Sequence, residues 1–593
     1  MSSIIGFTVI KNGPEVRFEA AIEAQQRALA HFPHLKTQSL VLGDARVDMW
    51  GHDQLTERFR ILKDGSLVAL IGSPIGELLW PDIEQKLLEA NSPEEYKPDW
   101  DGRFILLWIN AGGSRLTTWC DWLGSIPVFH AQIEREWVAS TLEPVTFSAA
   151  DLSAENIFLP GLLSLFINGH FLADWTLFEN MRVAPPDSVN IWDDQGFRSY
   201  QQQTIIPNRQ HWETSWDDLV DEMYALTRQA ISDVLLTRPN WVLPLSAGLD
   251  SRLIAGVAAD LGLDVQTYSW GAPEATDVVY ARQIARALKL PWQRIDLGTD
   301  YLTKLTPIWA DLFGSSMQFH GMYQIAFLQA IRQMSAGPVV SGFLGEVLSG
   351  ADLEDLADNS RLDEGYQFYN DWYTNWNVNE LEALFLFPVD EALDQIATDF
   401  KRQLELVPGA WFQRMMVYGF WNRQRFFTSF HSTLNDYWRG VGAPFINRDY
   451  ARFTLSLPRV ALDGRRLLND MYRRHYGLLA TIPGTYSPDP LIPTGSFLLK
   501  RRMAENIPNA LLPKALKRMA FAPLRMDTDC LMATGKKALW PIWDAWDDLG
   551  TYIDTNQVAA AYEAAINNRE DVKPLRKLQS VQALAYRLLD STY

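Results

Sequence analysis

Six consecutive residues hold the densest chemistry in this chain: Ser246-Ala247-Gly248-Leu249-Asp250-Ser251. They follow the apolar run Trp241-Val242-Leu243-Pro244-Leu245, which predicts a short buried strand. Residues 252–261 (RLIAGVAADL) then carry apolar side chains at helical spacing. A small-residue turn from the C-terminal end of a strand into a helix start gathers several backbone N–H groups. The positive end of the helix dipole adds to them, so the turn suits a phosphate or a pyrophosphate. The common NTPase loop is excluded, because Leu249 rather than Lys follows the glycine. The competing reading is an ordinary helix cap built from the same residue types.

The elements that position this turn change character along the chain. Residues 1–205 read mostly as β, in short alternating runs such as 66–71 (SLVALI) and 103–108 (RFILLW), with turns at 110–113 and 192–196. From about residue 212 long helical segments take over. Helices are predicted over 217–237 and 277–288, and strands over 241–245, 265–270, around Ile295 and over 337–341. Strands alternating with helices imply a parallel sheet covered on both faces. Beyond about 360 the chain reads as helical. The polar stretch 207–211 (PNRQH) marks the junction, giving domains 1–206 and 207–593.

Composition narrows the function classes. At 593 residues the chain exceeds one core, and 47% apolar residues suffice to fill more than one. A net charge of −19 argues against a nucleic-acid backbone as partner and against an anionic membrane surface. Two cysteines, Cys120 and Cys530, make no disulfide framework, and no apolar run approaches about 18 residues. The opening MSSIIGFTVIKNG lacks a basic region before an apolar core, so the expected setting is the cytoplasm. The 23 tryptophans, several of them within 366–438, read first as core filling and second as the lining of a groove for a peptide.

Over nearly its whole length the sequence resembles the asparagine synthetase-type superfamily. The turn 246–251 resembles the pyrophosphate loop Ser-Gly-Gly-x-Asp-Ser of enzymes that split ATP into AMP and pyrophosphate. Asp277, Ala281, Ala285 and Leu288 follow the family's Asp-x3-Ala-x3-Ala-x2-Leu helix. The run Ser341-Gly342-Phe343-Leu344-Gly345-Glu346-Val347 stands at its Ser-Gly-x-Gly-x-Asp-Glu, and Ala443-Pro444-Phe445-Ile446-Asn447 at its Val-Pro-Phe-Leu-Asp. In the first domain, Asp101-Gly102-Arg103-Phe104, Cys120 to Pro127 and Thr176-Leu177-Phe178 with Pro185-Pro186-Asp187 resemble the family's glutaminase. The resemblance implies a two-domain α/β fold. An N-terminal Ntn-hydrolase-like αββα sandwich would precede a pyrophosphate-loop parallel sheet with a helical C-terminal extension.

The resemblance also implies roles. Ser246, Ala247, Gly248, Leu249, Asp250 and Ser251 would hold ATP phosphates. Ser269, Trp270 and Gly271 would flank adenine, and Gly342 would allow close approach to the nucleotide. Asp250 and Glu346 would bind Mg2+, with Glu346 in place of the family's Asp and Val347 in place of the acid after it. Lys517 would be the transition-state cation, with Lys500 second, and His320 a candidate base on the substrate side. The glutaminase nucleophile is missing, since Ser2 replaces Cys after the initiator Met, and Ile71-Gly72-Ser73 replaces Asn-Gly-Glu. Losing that ammonia source resembles β-lactam synthetases and lasso peptide cyclases, in which a substrate amine attacks an acyl-adenylate. The expectation is therefore an AMP-forming amide ligase acting on a carboxylate substrate, a peptide, through macrolactam closure. Its partners would be that peptide and a precursor-peptide delivery protein. Ammonia-dependent amidation of aspartate or a sugar acid, and a non-catalytic scaffold, stand as alternatives.

Overall fold

Period-two alternation in the first 200 residues builds antiparallel strands. The computed structural model describes residues 3–11, 15–53, 55–76, 80–89, 95–334, 337–351, 353, 376–485, 489–506, 524–568 and 571–590. One set runs Lys36–Leu42, Ala45–Gly51, Ile4–Lys11, Glu136–Ser140, Phe129–Ile133, Met181–Val183 in spatial order. A second runs Phe59–Ile61, Leu67–Ile75, Asp101–Ile109, Leu116–Cys120, Ser188–Asp193, Gly196–Gln201. The sets are joined through the parallel pair Ile4↔Ile71. Their facing side chains, among them Phe7, Val9, Val47, Leu67, Ile105 and Leu107, form one apolar layer. Helix Trp80–Glu89 seats Ile83 on the outer face of the second set, against Val68, Leu70 and Leu106. Helices Glu15–Ala30 and Leu159–Asn168 cover the outer face of the first. The result is a helix–sheet–sheet–helix stack. The helix Glu15–Ala30 interrupts the β pattern expected there because its run AAIEAQQRALA is made of strong helix formers.

The second half carries a five-stranded parallel sheet. Its order is Trp292–Ile295, Val265–Trp270, Trp241–Pro244, Val339–Val340, Val441–Gly442. The chain starts in the middle, builds to one edge, and then crosses to the other side. Strand order therefore reverses between Trp241–Pro244 and Val339–Val340, the place where parallel sheets bind ligands at their carboxyl ends. The fifth strand, Val441–Gly442, was not foreseen, because two residues show no periodicity. Among the described residues, chain beyond 376 is mainly helical and buries Trp376, Trp411 and Trp438 as core.

The junction predicted at 207–211 has little regular structure, yet it is held in place. Asn208 gives its carbonyl to Gln413 Nε2 at 2.7 Å, and His211 is buried. No helix among the described residues is long and apolar enough to cross a membrane.

Candidate functional site

Strand Trp241–Pro244 leads through the predicted turn into helix Leu249–Asp260, at the reversal of strand order. The turn is fixed from within. Ser246 N donates to Ser251 Oγ at 3.2 Å, Gly248 N donates to Ser246 Oγ at 3.1 Å, and the two hydroxyls lie 3.1 Å apart. Ala247 N donates to Asp277 Oδ1 at 3.0 Å, and Thr485 Oγ1 donates to the same oxygen at 3.0 Å. Gly248 is the N-cap residue and supplies no side-chain cap, so the first turn keeps N–H groups that the helix itself does not use. Ala247 replaces a family glycine without strain: its φ is not positive, and its methyl is fully buried.

Beneath the turn, Arg252 is fully buried and forms no ion pair among the described residues. It donates to the carbonyls of Ala247, Leu479, Ile482 and Pro483 at 2.6 to 3.0 Å, pinning the loop that carries Thr485 to the turn 246–251.

A cavity of about 710 Å³ opens over this turn. The residues 246–251 line it, together with Trp270, Gly342 and Glu346 from the predicted set. Gly342 and Gly345 let the segment after strand Val339–Val340 lie against the helix start. A Cβ on Gly345 would come within 2.8 Å of the Asp250 carboxyl carbon, and one on Gly342 within 3.3 Å of Ser251 N. Leu344, where the family motif has glycine, sits at φ 72°, a left-handed conformation that costs an L-residue about 1–2 kcal/mol.

Other predicted residues land elsewhere. The Ser269 hydroxyl is used inside the sheet, donating to Leu245 O at 2.6 Å and accepting from Trp292 Nε1 at 2.9 Å. Gly271 has φ 109°, and a Cβ there would meet Leu524. Trp270 packs on Phe327 with ring centroids 4.6 Å apart, leaving it as the aromatic wall of the cavity. Lys517 and Ser2 lie outside the described residues, and Lys500 falls within helix Gly495–Asn506.

The two predicted metal-binding acids are brought together, with a cation between them. Arg465 donates to Asp250 Oδ1 at 2.6 Å and to Ser349 Oγ at 2.8 Å. Burial works against its charge, but the Asp250 and Glu346 carboxylates hold it more firmly protonated than an ordinary arginine. Two hard carboxylates that already gather a positive charge are of the chemistry that would hold Mg2+. Among the described residues no cluster of three or more His, Cys, Asp or Glu could hold a metal ion.

A second cavity of about 530 Å³ adjoins the first, sharing Asp250, Gly342, Phe343, Glu346, Thr428 and His431. Its walls come from both halves of the chain: Asn168 and His170 from the first, His320, Tyr323, Arg423 and Phe427 from the second. The π-helical stretch Phe420–Thr428 supplies Arg423, Gln424, Phe427 and Thr428 to it. Asn422 and Arg425 of the same stretch anchor it to the first half. Asn422 Oδ1 accepts from Ala173 N at 2.8 Å, and Arg425 donates to the carbonyls of Gly124, Ala173 and Ala184.

His320 faces this chamber with Nδ1 3.3 Å from Asp527 Oδ2. Burial opposes ionisation of Asp527, but hydrogen bonds from His320, Tyr301 and Gln579 hold it below the usual carboxylate range. Burial pushes the nearby His431 down to about 3, so it stays neutral. Sequence reasoning missed Arg465, His431, Thr428, Thr485 and the role of Asp277 as acceptor. They are scattered over about 200 residues, and only Asp277 stood in a motif.

Residues 222–415 match the Asparagine synthase family, a segment that includes the turn 246–251, Asp277, His320 and Glu346. No curated protein matches the chain. Two solved structures are similar at 10% identity and a TM-score of 0.21. One is a glutamine phosphoribosylpyrophosphate (PRPP) amidotransferase from B. subtilis complexed with ADP and GMP, over 49% of this chain and 65% of that one. The other is the allosteric regulatory enzyme of purine biosynthesis, over 57% of this chain and 89% of that one. The chain thus spans just under two thirds of the first structure's length, and likeness at this level carries no argument about function.

Proposed function

We propose that this protein is an ATP-dependent carbon–nitrogen ligase that activates a carboxylate as an acyl-adenylate and passes it to an amine. The observation that carries the reading is a small-residue turn into a helix start at the reversal of strand order, inside a segment that matches the Asparagine synthase family, opening on a two-chambered cavity. The N–H groups of the helix start, with the Ser246 and Ser251 hydroxyls, hold the phosphates. Asp250 and Glu346 are the residues to hold Mg2+, which supplies charge neutralisation for the departing pyrophosphate. Arg465 adds a fixed positive charge beside the same phosphates. Trp270 and Phe327 offer an apolar wall to a base. The adjoining chamber keeps the adenylate from bulk water and admits the nucleophile.

Loss of the glutaminase nucleophile favours an amine carried by the substrate, and a peptide closed into a macrolactam is the use we assign. Lys517 keeps its proposed role as transition-state cation. The test is ATP–pyrophosphate exchange with three additions in turn: a short precursor peptide encoded beside the gene, aspartate, and aspartate with ammonium. Exchange and AMP release with the peptide alone support the assignment. Turnover confined to aspartate with ammonium replaces it with simple amidation, and no exchange with any addition removes the ligase reading.

A further inference from the structure

We infer that His320, held by Asp527, is the base that takes the proton from the amine nucleophile in the second chamber; this rests on the ligase reading above. Asp527, at the start of helix Met526–Thr534, is a buried carboxylate surrounded by donors. Tyr301 Oη donates to it, Gln579 Nε2 donates to Oδ2 at 3.1 Å, and His320 Nδ1 approaches the same oxygen at 3.3 Å. An ionised acceptor on the Nδ1 side fixes the hydrogen there, which leaves the Nε2 lone pair as the ring's basic site.

The ring itself is oriented. It stacks on Phe427 with centroids 5.3 Å apart and planes 10° from parallel, and Nε2 has no hydrogen bond among the described residues. Its side chain keeps 24% of its surface exposed, so it is reachable from the chamber. The next residue, Gly321, has φ 124°, and a Cβ there would come within 2.6 Å of His431 Nε2. That glycine lets His431 donate to the His320 carbonyl at 3.4 Å and close the wall behind the ring. His431 reaches both cavities but is held neutral and turned to a carbonyl, and His170 turns Nδ1 to the Phe171 carbonyl at 2.8 Å. Of the three chamber imidazoles, His320 is the one that pairs directly with a carboxylate among the described residues.

The step balances. As the amine nitrogen bonds to the acyl carbon of the adenylate, its proton passes to Nε2 of His320, and the acyl C–O bond breaks with its electron pair leaving on AMP. The protonated ring, oriented by Asp527, then releases the proton to solvent. His320 would touch the nucleophile; Asp527 is a positioning residue.

The experiment uses the full chain labelled with 15N-histidine, with long-range 1H–15N spectra of wild type, His320→Gln for assignment, and Asp527→Asn. Mg·ATP binding is measured by calorimetry on the same samples. We expect His320 to carry its hydrogen on Nδ1 and leave Nε2 bare in wild type, and to become a mixture of tautomers in Asp527→Asn. Diethyl pyrocarbonate, mapped by mass spectrometry, should acylate His320 at Nε2 and spare His170 and His431. A hydrogen on Nε2 in wild type, or an unreactive His320, overturns the proposal even if Asp527→Asn does not fold. The expected tautomer without Mg·ATP binding overturns it differently, since the dyad stands but has no adenylate to serve.

Discussion

At the scale of single residues, the site turns on one arginine. Arg465 pairs with Asp250 and its charge is held also by Glu346, so removing it leaves the two carboxylates without their shared cation. In Arg465→Met, millimolar Mg2+ alone should raise the melting temperature, whereas in wild type the guanidinium already fills that need and Mg2+ alone should change little. A thermal melt with and without Mg2+ checks this, and equal responses in the two proteins would contradict it. Sequence could place Asp250 and Glu346 because each stood in a motif. Arg465 was invisible, being one basic residue among many, 215 positions from its partner. Ser269 was expected beside adenine at a strand end, and its hydroxyl is engaged within the sheet. Leu344 could not be judged from sequence: its left-handed backbone, beside the cavity-lining Glu346, is visible only in the fold.

At the scale of elements, the turn 246–251 depends on its neighbours as well as on its own residues. Asp277, near the start of helix Thr276–Leu288, accepts from both Ala247 N and Thr485 Oγ1, tying three segments together. Asp277→Ala should cost about 1–3 kcal/mol in stability by leaving those donors unpaired, and should weaken Mg·ATP binding although it adds no clash. Chemical denaturation together with calorimetry separates the two effects; unchanged ATP affinity would place the turn's rigidity elsewhere. The π-helical stretch Phe420–Thr428 is a second such device. Its extra residue per turn turns Arg423, Phe427 and Thr428 to the chamber while Asn422 and Arg425 reach the first half. The parallel sheet, the phosphate turn and the helix beyond it were legible because apolar periodicity is local. The π stretch and the strand Val441–Gly442 were not, because both exist only through contacts made across the fold.

At the scale of the whole molecule, the first half is built into the site. It supplies Asn168 and His170 to the chamber and is bolted to the second half by buried ion pairs. Arg103 donates to Asp436 Oδ2 at 2.7 Å, and Arg587 pairs with Glu143, whose Oε1 also accepts from Ser315 at 3.0 Å. Glu143→Gln should destabilise by about 3–5 kcal/mol, because it strands a buried guanidinium. The two halves should melt in one transition, and two separate transitions would contradict that coupling. Acid should act early. Burial holds His52 and His170 down to about 4 and His130 and His431 to about 3, so all four stay neutral when folded. Unfolding frees them to take up protons below about pH 6.5, so stability falls as pH drops, by about 1.4 kcal/mol per unit for each ring. At pH 5.5 the loss is about 5 kcal/mol, a large part of a typical folding free energy. Asp187, pushed up to about 6 by burial, works the other way by about 1 kcal/mol, and Asp101, Asp121 and Asp436, also raised by burial, act in the same direction. A melting series from pH 7.5 to 5 should show the steep fall between 6.5 and 5.5. The most direct test of the central claim is calorimetric titration of Mg·ATP into the wild-type chain beside Asp250→Ala. Binding in wild type that requires Mg2+ and is lost in the variant is the result expected of a live adenylating site. A well-folded wild-type protein that takes up no Mg·ATP would contradict it.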